Sequence, residues 1–368
     1  MADMLLTMSV YVLIPVLPQW LMDAEGLTPQ QTGCCMGAFA LGLYLLGVLC
    51  SWLVQRYRRN VVCMLAVIAV ALVSAVLWYV DSLRPTNVGF GVLLLQRLML
   101  GAAFGLAQMV LTSTLIIDTS ESYLRTEANH SAAWFARLAL AVGPLAGLLV
   151  GQFYGFGSVS LLAAGCAVVG LVLIKLVTFP FRAPEENVHV ASLDRFLLPQ
   201  GYVLFINLLL VGLVIGLLMS LPLDVLFYGL IMVGFVLAML AQRFVFRDAE
   251  LKSEVVTGQI LMLAALLVLM VYPESPVAPV LTGLAVGING SRFLLFFIKL
   301  SRHCKRGTSQ STYFLGWETG LALGLGLGYG CFYGHREPLL LLALVLTAAS
   351  LLMYHFYTHA WFMRNKNR

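Results

Sequence analysis

The amino-acid sequence predicts an all-α integral membrane protein whose twelve transmembrane helices form two pseudo-symmetric six-helix bundles. Three observations lead to this prediction. The chain is 61% hydrophobic and only 11% charged, whereas ordinary soluble domains carry about 25% charged residues. Its apolar runs are long enough to cross a bilayer, which takes about 20 residues per helix. Its basic residues also fall almost entirely on one side of the predicted membrane.

Twelve apolar segments are candidate membrane spans. They are residues 5–22, 32–54, 61–80, 89–117, 131–154, 158–181, 199–220, 222–243, 255–272, 277–300, 311–333 and 338–358. The seventh and eighth are separated only by "SLPLD", whose proline favours two short helices over one long helix. The longest polar interruption follows the sixth span. We therefore expect an N-terminal bundle at residues 1–181, a cytoplasmic linker at 182–198 and a C-terminal bundle at 199–368.

The two predicted bundles echo each other in sequence. "GAAFG" at residues 101–105 matches "GLAVG" at 283–287, an offset of 182 residues that aligns the fourth span with the tenth. Secondary transporters are commonly built from such repeats, with the substrate site between them near the middle of the membrane.

The placement of lysine and arginine predicts the orientation. Sixteen of these residues fall on the side of the termini and linker, whereas only Arg84 and Arg336 fall on the other. Both termini are therefore expected in the cytoplasm, in a multi-pass protein of the inner (plasma) membrane. The net charge of +5 needs no nucleic-acid partner. The first apolar run lacks a basic segment and a cleavage site, so we expect a retained helix instead of a signal peptide.

The fourth span contains "QRLMLGAAFGLA" at residues 96–107. A charge at the bilayer centre costs about 2.5–3.5 kcal/mol on insertion scales, so Arg97 needs a partner or a use. Backbone carbonyls, water, Glu318 across a cavity or an anionic group of a substrate could each satisfy it. Gly101 and Gly105 share one helix face, and small residues at this spacing allow close helix packing.

Two further motifs suggest places where the protein changes conformation. In "AVGPLAG" at residues 141–147, Gly143 and Pro144 predict a kink in the fifth span, which is a hinge, a seal or simple packing. "SWLVQRYRRN" at residues 51–60 places Arg56 and Arg59 at the basic positions of the spacing G-x-x-x-D-R-x-G-R-R. Orientation alone also explains these two arginines.

Charged residues inside the spans are candidates for ion coupling. Away from span ends lie Arg97, Arg137, Arg292 and Glu318, and Glu318 is the one carboxylate predicted well inside the membrane. Burial and a neighbouring arginine have opposite effects on how readily a carboxylate binds a proton. Glu318 is therefore either a tunable proton site or part of a static salt bridge with Arg137 or Arg292.

The candidate site residues fall into three groups. Expected to bind substrate are Tyr11, Gln19, Arg97, Gln108, Asn207, Asn289 and Arg292. Expected to couple protons are Glu318, Arg137 and Asp118, and expected to act in conformational change are Gly101, Gly105, Gly143, Pro144, Arg56 and Arg59. Since three deep arginines outnumber one deep glutamate, the cavity is expected to be net positive and to favour an anionic or zwitterionic amphiphile.

These motifs together resemble the major facilitator superfamily of secondary transporters over nearly the whole chain. "QRLMLGAAFGLA" is similar to the family's fourth-helix motif, and "AVGPLAG" to the fifth-helix motif of drug–proton antiporters. "SWLVQRYRRN" is a degraded cytoplasmic-loop motif that lacks the aspartate and the glycines. The resemblance implies twelve helices, alternating access, a cavity lined mainly by helices one, four, seven and ten, and a working monomer.

The expected function is secondary active transport of a small amphiphilic organic molecule by alternating access, with proton-coupled efflux. Uptake of an anionic nutrient and a non-transporting receptor or scaffold on the same fold are alternatives. The expected partners are the substrate, protons or another coupling ion, and the lipid bilayer. An enzyme is not expected, because "HExxH", "GxSxG" and paired intramembrane acids are absent from the sequence. No cofactor or metal is expected, and the absence of a P-loop excludes direct ATP coupling by this chain.

Overall fold

The computed structural model describes residues 1–83, 88–119, 125–179, 185, 188–246 and 250–367; within these ranges the side chains of residues 117, 118, 125–130, 133 and 303 are not described. This part of the chain is helical and contains no strand, which confirms the all-α prediction. The α-helices are α1 (Ala2–Tyr11), α2 (Leu17–Asp23), α3 (Pro29–Leu45), α4 (Cys50–Arg56), α5 (Arg59–Ser82), α6 (Phe90–Val110), α7 (Ile116–Thr119), α8 (Arg125–Lys175), α9 (Tyr202–Met219), α10 (Val225–Phe244), α11 (Leu251–Val271), α12 (Val277–Leu300), α13 (Arg306–Phe332), α14 (Arg336–Met353) and α15 (His359–Asn365). Single π-helical turns at Leu111–Leu115 and Tyr354–Thr358 continue α6 into α7 and α14 into α15.

Eight helices in the described ranges are long and apolar enough to cross a membrane, or nine if α3 and α4 count as one span bent by 48°. Several predicted spans do not meet this test as single helices. The first predicted span is divided into α1 and α2, and α8 runs through the fifth and sixth, interrupted at Gly155 (φ 77°, ψ 176°). The prediction of a multi-pass membrane protein is thus supported, while the count of twelve stays a prediction.

The break between α1 and α2 follows from the prolines of the first predicted span. Pro15 has no backbone N–H and cannot continue an α-helical ladder. The preceding residues adopt tighter turns, in which Leu13 N donates to Val10 O and Ile14 N donates to Tyr11 O, at 3.2 and 3.1 Å. Tyr11 is the last residue of α1 and therefore lies directly at this break.

Helix packing divides the chain into two sets with a shared interface. Among the earlier helices, α1 packs on α8, α3 on α6, and α5 on both α6 and α8. Among the later helices, α9 packs on α13 and α14, while α12 packs on α10 and α11. The sets meet where α3 contacts α13 and where α8 contacts α10 and α12. The central polar residues described below lie along this interface.

Glycines permit the closest of these approaches. A Cβ on Gly105 of α6 would lie 2.9 Å from Leu43 O of α3, and one on Gly101 would collide with Phe39 O. A Cβ on Gly143 of α8 would lie 2.9 Å from the Cβ of Tyr11. Pro144 is accommodated within α8, whose only non-helical backbone angles are at Gly155. All three glycines thus lie on packed helix faces, and their proposed conformational role stays a prediction.

Candidate functional site

A small polar cavity lies where α1, α6, α8, α12 and α13 meet. Its lining consists of Asp3, Thr7, Tyr11, Gln108, Thr112, Ala132, Ala136, Arg137, Leu294, Gln310, Tyr313, Phe314 and Glu318. Its volume of ≈ 40 Å³ has room for a few water molecules. Sites for small organic ligands measure about 300–1,000 Å³. In this conformation the cavity is therefore too small for an organic substrate, and it must widen to admit one.

Glu318 of α13 projects into this cavity and contacts α1. The hydroxyl of Tyr11 donates a 2.6 Å hydrogen bond to Glu318 Oε1. Glu318 is 4% exposed, and its Oε2 is buried with no hydrogen-bond partner among the described residues. Leaving a buried polar atom unpaired is unfavourable, above all for a charged group. This oxygen therefore suits a proton, a water molecule or a donor group of a ligand.

Arg137 of α8 faces the same cavity but does not form the salt bridge considered from sequence. Its guanidinium carbon lies 3.6 Å from the ring centroid of Trp317 and 4.5 Å from that of Tyr313. Aromatic faces attract cations, by about 2 kcal/mol or more when desolvated. Its Nη1 is buried without a hydrogen-bond partner in the part of the chain that the structure describes. Arg137 therefore keeps a donor free inside the cavity.

Asp3 is a cavity residue that sequence reasoning missed. It lies in the first turn of α1, is 4% exposed, and its Oδ1 lacks a hydrogen-bond partner within the described ranges. Next to it, Gln108 Nε2 donates to Thr7 Oγ1 at 2.8 Å, and Thr7 Oγ1 donates to Asp3 O at 2.9 Å. The first span was predicted to begin at residue 5, so Asp3 was left outside the membrane. The sequence did contain a signal for Asp3, because an acidic residue lies within one helical turn of the predicted start of the first span.

Arg292 is placed differently from the expectation. It forms a salt bridge with Glu254 of α11, whose side chain is 1% exposed. Glu318 is therefore not the only buried carboxylate. The expectation of a net-positive cavity is also wrong, because Asp3 and Glu318 both face Arg137 in the central cavity. Glu254 was missed because the ninth span was predicted to begin at residue 255, whereas α11 begins at Leu251.

The two candidate asparagines lie in the later set of helices, away from the central cavity. Asn207 Nδ2 donates to Ser350 O at 3.1 Å. Asn289 and Gln259 line a separate internal cavity of ≈ 10 Å³ together with Ser350. Asn289 Oδ1 and both polar atoms of the Gln259 amide lack partners among the residues described. A substrate in the central cavity would reach these groups only after a rearrangement.

Arg97 is buried between α6 and α3. Its guanidinium carbon lies 5.3 Å from the ring centroid of Phe39, and its Nε and Nη1 have no hydrogen-bond partner in the described ranges. Arg97 does not line the central cavity, so the interaction with Glu318 that we considered is not formed in this conformation. An aromatic ring, which was not among the expected partners, provides the contact that is observed.

The remaining candidates lie toward the two ends of the molecule. Gln19 lines a pocket of ≈ 810 Å³ on the predicted outer face, beside Asp224 and Arg336. Arg56 ends α4 and is exposed, whereas Arg59 begins α5 and is 8% exposed. The side chain of Asp118, in α7, lies outside the described part of the structure. No group of three or more His, Cys, Asp or Glu that could hold a metal ion occurs among the described residues.

Comparisons with known proteins agree with this architecture. The sequence model of the Major Facilitator Superfamily matches residues 2–325. The fold is similar to the human organic anion transporter MFSD10 (TETRAN), with a TM-score of 0.66, 16% identity and coverage of 96% of this chain and 97% of that one. It is also similar to a point mutant of the nucleoside transporter NupG, with a TM-score of 0.66, 12% identity and 98% coverage of both chains. A search of curated proteins finds no match. The extent of the family match and the transporter fold show that this chain belongs to the Major Facilitator Superfamily and is a transporter rather than an enzyme.

Proposed function

We propose that this protein is a secondary active transporter that exports a small amphiphilic organic molecule by alternating access, in exchange for protons. Residues 1–181 and 199–368 would form its two six-helix bundles, joined by the linker at 182–198. The observation that carries the proposal is the buried Glu318, which has one oxygen on Tyr11 and the other unpaired in the cavity among the described residues.

The contact between Tyr11 and Glu318 offers a physical route to coupling. It joins α1 of the first proposed bundle to α13 of the second. A hydrogen bond to an ionised carboxylate is roughly twice as strong as one between neutral groups. Proton binding to Glu318 would therefore weaken a contact between the bundles. Because only a ligand that favours one conformation can shift an equilibrium, this difference would let the proton bias the transporter toward one face.

The charges of the cavity suggest the class of substrate. Arg137 Nη1 can donate to an anionic group, while Asp3 Oδ1 and Glu318 Oε2 can accept from an ammonium or hydroxyl group. Two carboxylates facing one arginine favour a zwitterion over a simple anion. The two similar structures are described as an organic anion transporter and a nucleoside transporter, and a small polar organic substrate agrees with both descriptions.

Uptake of an anionic nutrient is the second candidate function, and the free Arg137 donor favours it. The two functions use one cavity and differ in the direction of flux. They can be separated by measuring substrate accumulation in vesicles of known orientation under an imposed proton gradient.

The experiment that tests the proposal begins with purified protein in a thermal-shift screen against drugs, organic acids, zwitterionic amphiphiles, nucleosides and lipids at two pH values. A stabilising compound is then tested for flux in liposomes that carry a proton gradient. We expect the compound to move against its concentration gradient while protons move in the opposite direction. Binding without flux would instead support a receptor or scaffold and contradict the proposal.

A further inference from the structure

The linker between the two proposed bundles inserts an aromatic side chain into the break of a membrane helix. Residues 192–198, here called the strap, run past the turn that separates α3 from α4. Phe196 is 4% exposed, and a Cβ on Gly47 in that turn would collide with its ring. The rings of Phe196 and Tyr44 also make a T-shaped contact, with 6.0 Å between ring centroids. Only glycine at position 47 leaves room for Phe196 in this position.

The strap is hydrogen-bonded to the turn between α3 and α4 on one side and to α13 on the other. On the side of α3 and α4, Ser192 N donates to Val48 O at 3.1 Å. On the side of α13, Arg195 N donates to Thr308 Oγ1 at 2.9 Å, and Leu198 N donates to Thr312 Oγ1 at 2.7 Å. The strap therefore joins the α3–α4 turn of the first proposed bundle to a helix of the second.

Thr308 makes this attachment specific. Its hydroxyl accepts from Arg195 N and donates to Asp194 Oδ1 at 3.0 Å, so both of its hydrogen-bonding roles are used by the strap. Arg195 has φ of 59°, a backbone conformation that is uncommon outside glycine. The tight turn at Asp194 and Arg195 is thus held in place by contacts with α13.

The opposite ends of α3 and α13 are joined by direct packing. A Cβ on Gly33 would lie 2.5 Å from Gly330 N, so the two backbones touch there. Between the two ends, the hydroxyls of Tyr44 and Thr319 form a 2.8 Å hydrogen bond, one residue from Glu318. The strap thus contacts Tyr44, which in turn contacts the neighbour of the central carboxylate.

We propose that the strap is a latch that holds α3 and α13 together on the linker side and must release before the cavity opens toward that side. The proposal rests on the alternating-access part of the proposed function and is independent of the coupling ion and the substrate. Because packed interfaces switch between discrete arrangements instead of deforming continuously, loss of a few contacts at the strap should shift a population of states.

The test uses the isosteric pair Thr308→Val and Thr308→Ser. Valine keeps the shape but removes both hydrogen bonds to the strap, whereas serine retains the hydroxyl. Phe196→Ala removes the wedge, and Val190→Ala changes an exposed linker residue (55% exposed) outside the strap. Spin labels on Tyr57→Cys and on native Cys304, both exposed, report the distance between the ends of α4 and α13 in protein without Cys34 and Cys331.

We expect Thr308→Val to increase the longer-distance population about fivefold, as loss of one or two net hydrogen bonds would. Phe196→Ala should increase the same population, because it removes the ring contact with Tyr44. Thr308→Ser and Val190→Ala should match the parent protein. If two distance populations are present and their ratio is the same in all variants, the latch is contradicted while alternating access is not. A single unchanged distance in every protein at all pH values would contradict alternating access itself. If Phe196→Ala is not recovered as folded protein, the threonine pair still decides the outcome.

Discussion

At the scale of single residues, the central cavity holds three charged side chains whose polar atoms are only partly satisfied. Asp3, Arg137 and Glu318 each present one buried atom without a hydrogen-bond partner among the described residues. Buried polar groups in folded proteins are nearly always paired, so we propose that these three atoms mark a place where water, protons or a ligand group bind. Their convergence in one cavity is the main reason for placing the transport site here.

Arg137 provides the residue-scale prediction. Arg137→Lys keeps the positive charge but loses the planar group that contacts Trp317 and Tyr313, and lysine is not equivalent to arginine at a stacked site. We expect substrate affinity to fall about tenfold, equivalent to about 1.4 kcal/mol. Calorimetric titration measures it, with the exposed Arg364→Lys as a matched control. Equal affinity in the two variants would remove Arg137 from the binding site.

The sequence identifies this site only in part. Glu318 and Arg137 stand out because charges inside apolar runs are rare and costly. Asp3 and Glu254 do not, because they precede the predicted starts of their spans by two residues and one residue, and helix boundaries read from hydropathy are imprecise. The partner of each arginine also depends on how helices distant in sequence are rotated against one another. Neither the contact of Arg292 with Glu254 nor that of Arg97 with Phe39 follows from sequence spacing.

At the scale of helices, close packing at glycines organises the interface between the two sets of helices as well as the helix pairs within each set. The contact between α9 and α13 is an example, because a Cβ on Gly324 would lie 2.7 Å from the Cα of Gly216. The sequence predicts such faces from the four-residue spacing of small residues. It does not predict which helix lies opposite, since that depends on the whole topology.

The element-scale prediction is that Gly324→Ala destabilises the protein. The added methyl group overpacks a backbone contact, which costs about 1–3 kcal/mol and outweighs the better helix propensity of alanine, about 1 kcal/mol. The apparent melting temperature in detergent should fall. Gly91→Ala is the matched control, since nothing lies within 4 Å of its Cβ position, and its melting temperature should stay constant or rise. A fall for Gly91→Ala alone would contradict the packing.

At the scale of the whole molecule, orientation depends on the distribution of basic residues. Sixteen lysines and arginines on one side against two on the other predict cytoplasmic termini. The all-helical membrane fold follows from composition and length alone. The number of spans does not, because one helix does not always equal one span. Prolines divide the first span, a bend separates α3 from α4, and α8 runs through two predicted spans.

The whole-molecule prediction concerns accessibility in intact cells. In a background without the exposed Cys34, Cys304 and Cys331, Arg336→Cys should react with a membrane-impermeant thiol reagent. Glu185→Cys, in the linker, should react only after the cells are opened. The reverse labelling pattern would contradict the predicted orientation, and labelling of both positions in intact cells would contradict the predicted spans between them.

The most direct test of the central claim is the behaviour of Glu318→Gln in liposomes. Glutamine keeps the shape of the side chain and can accept the hydrogen bond from Tyr11, but it cannot exchange a proton. The variant should still bind substrate and perform downhill counterflow, yet fail to concentrate substrate when a proton gradient is imposed. The exposed Glu337→Gln serves as the control and should transport like the parent protein. Proton-driven uphill transport by Glu318→Gln at the parental rate would contradict the assignment of Glu318 as the coupling residue.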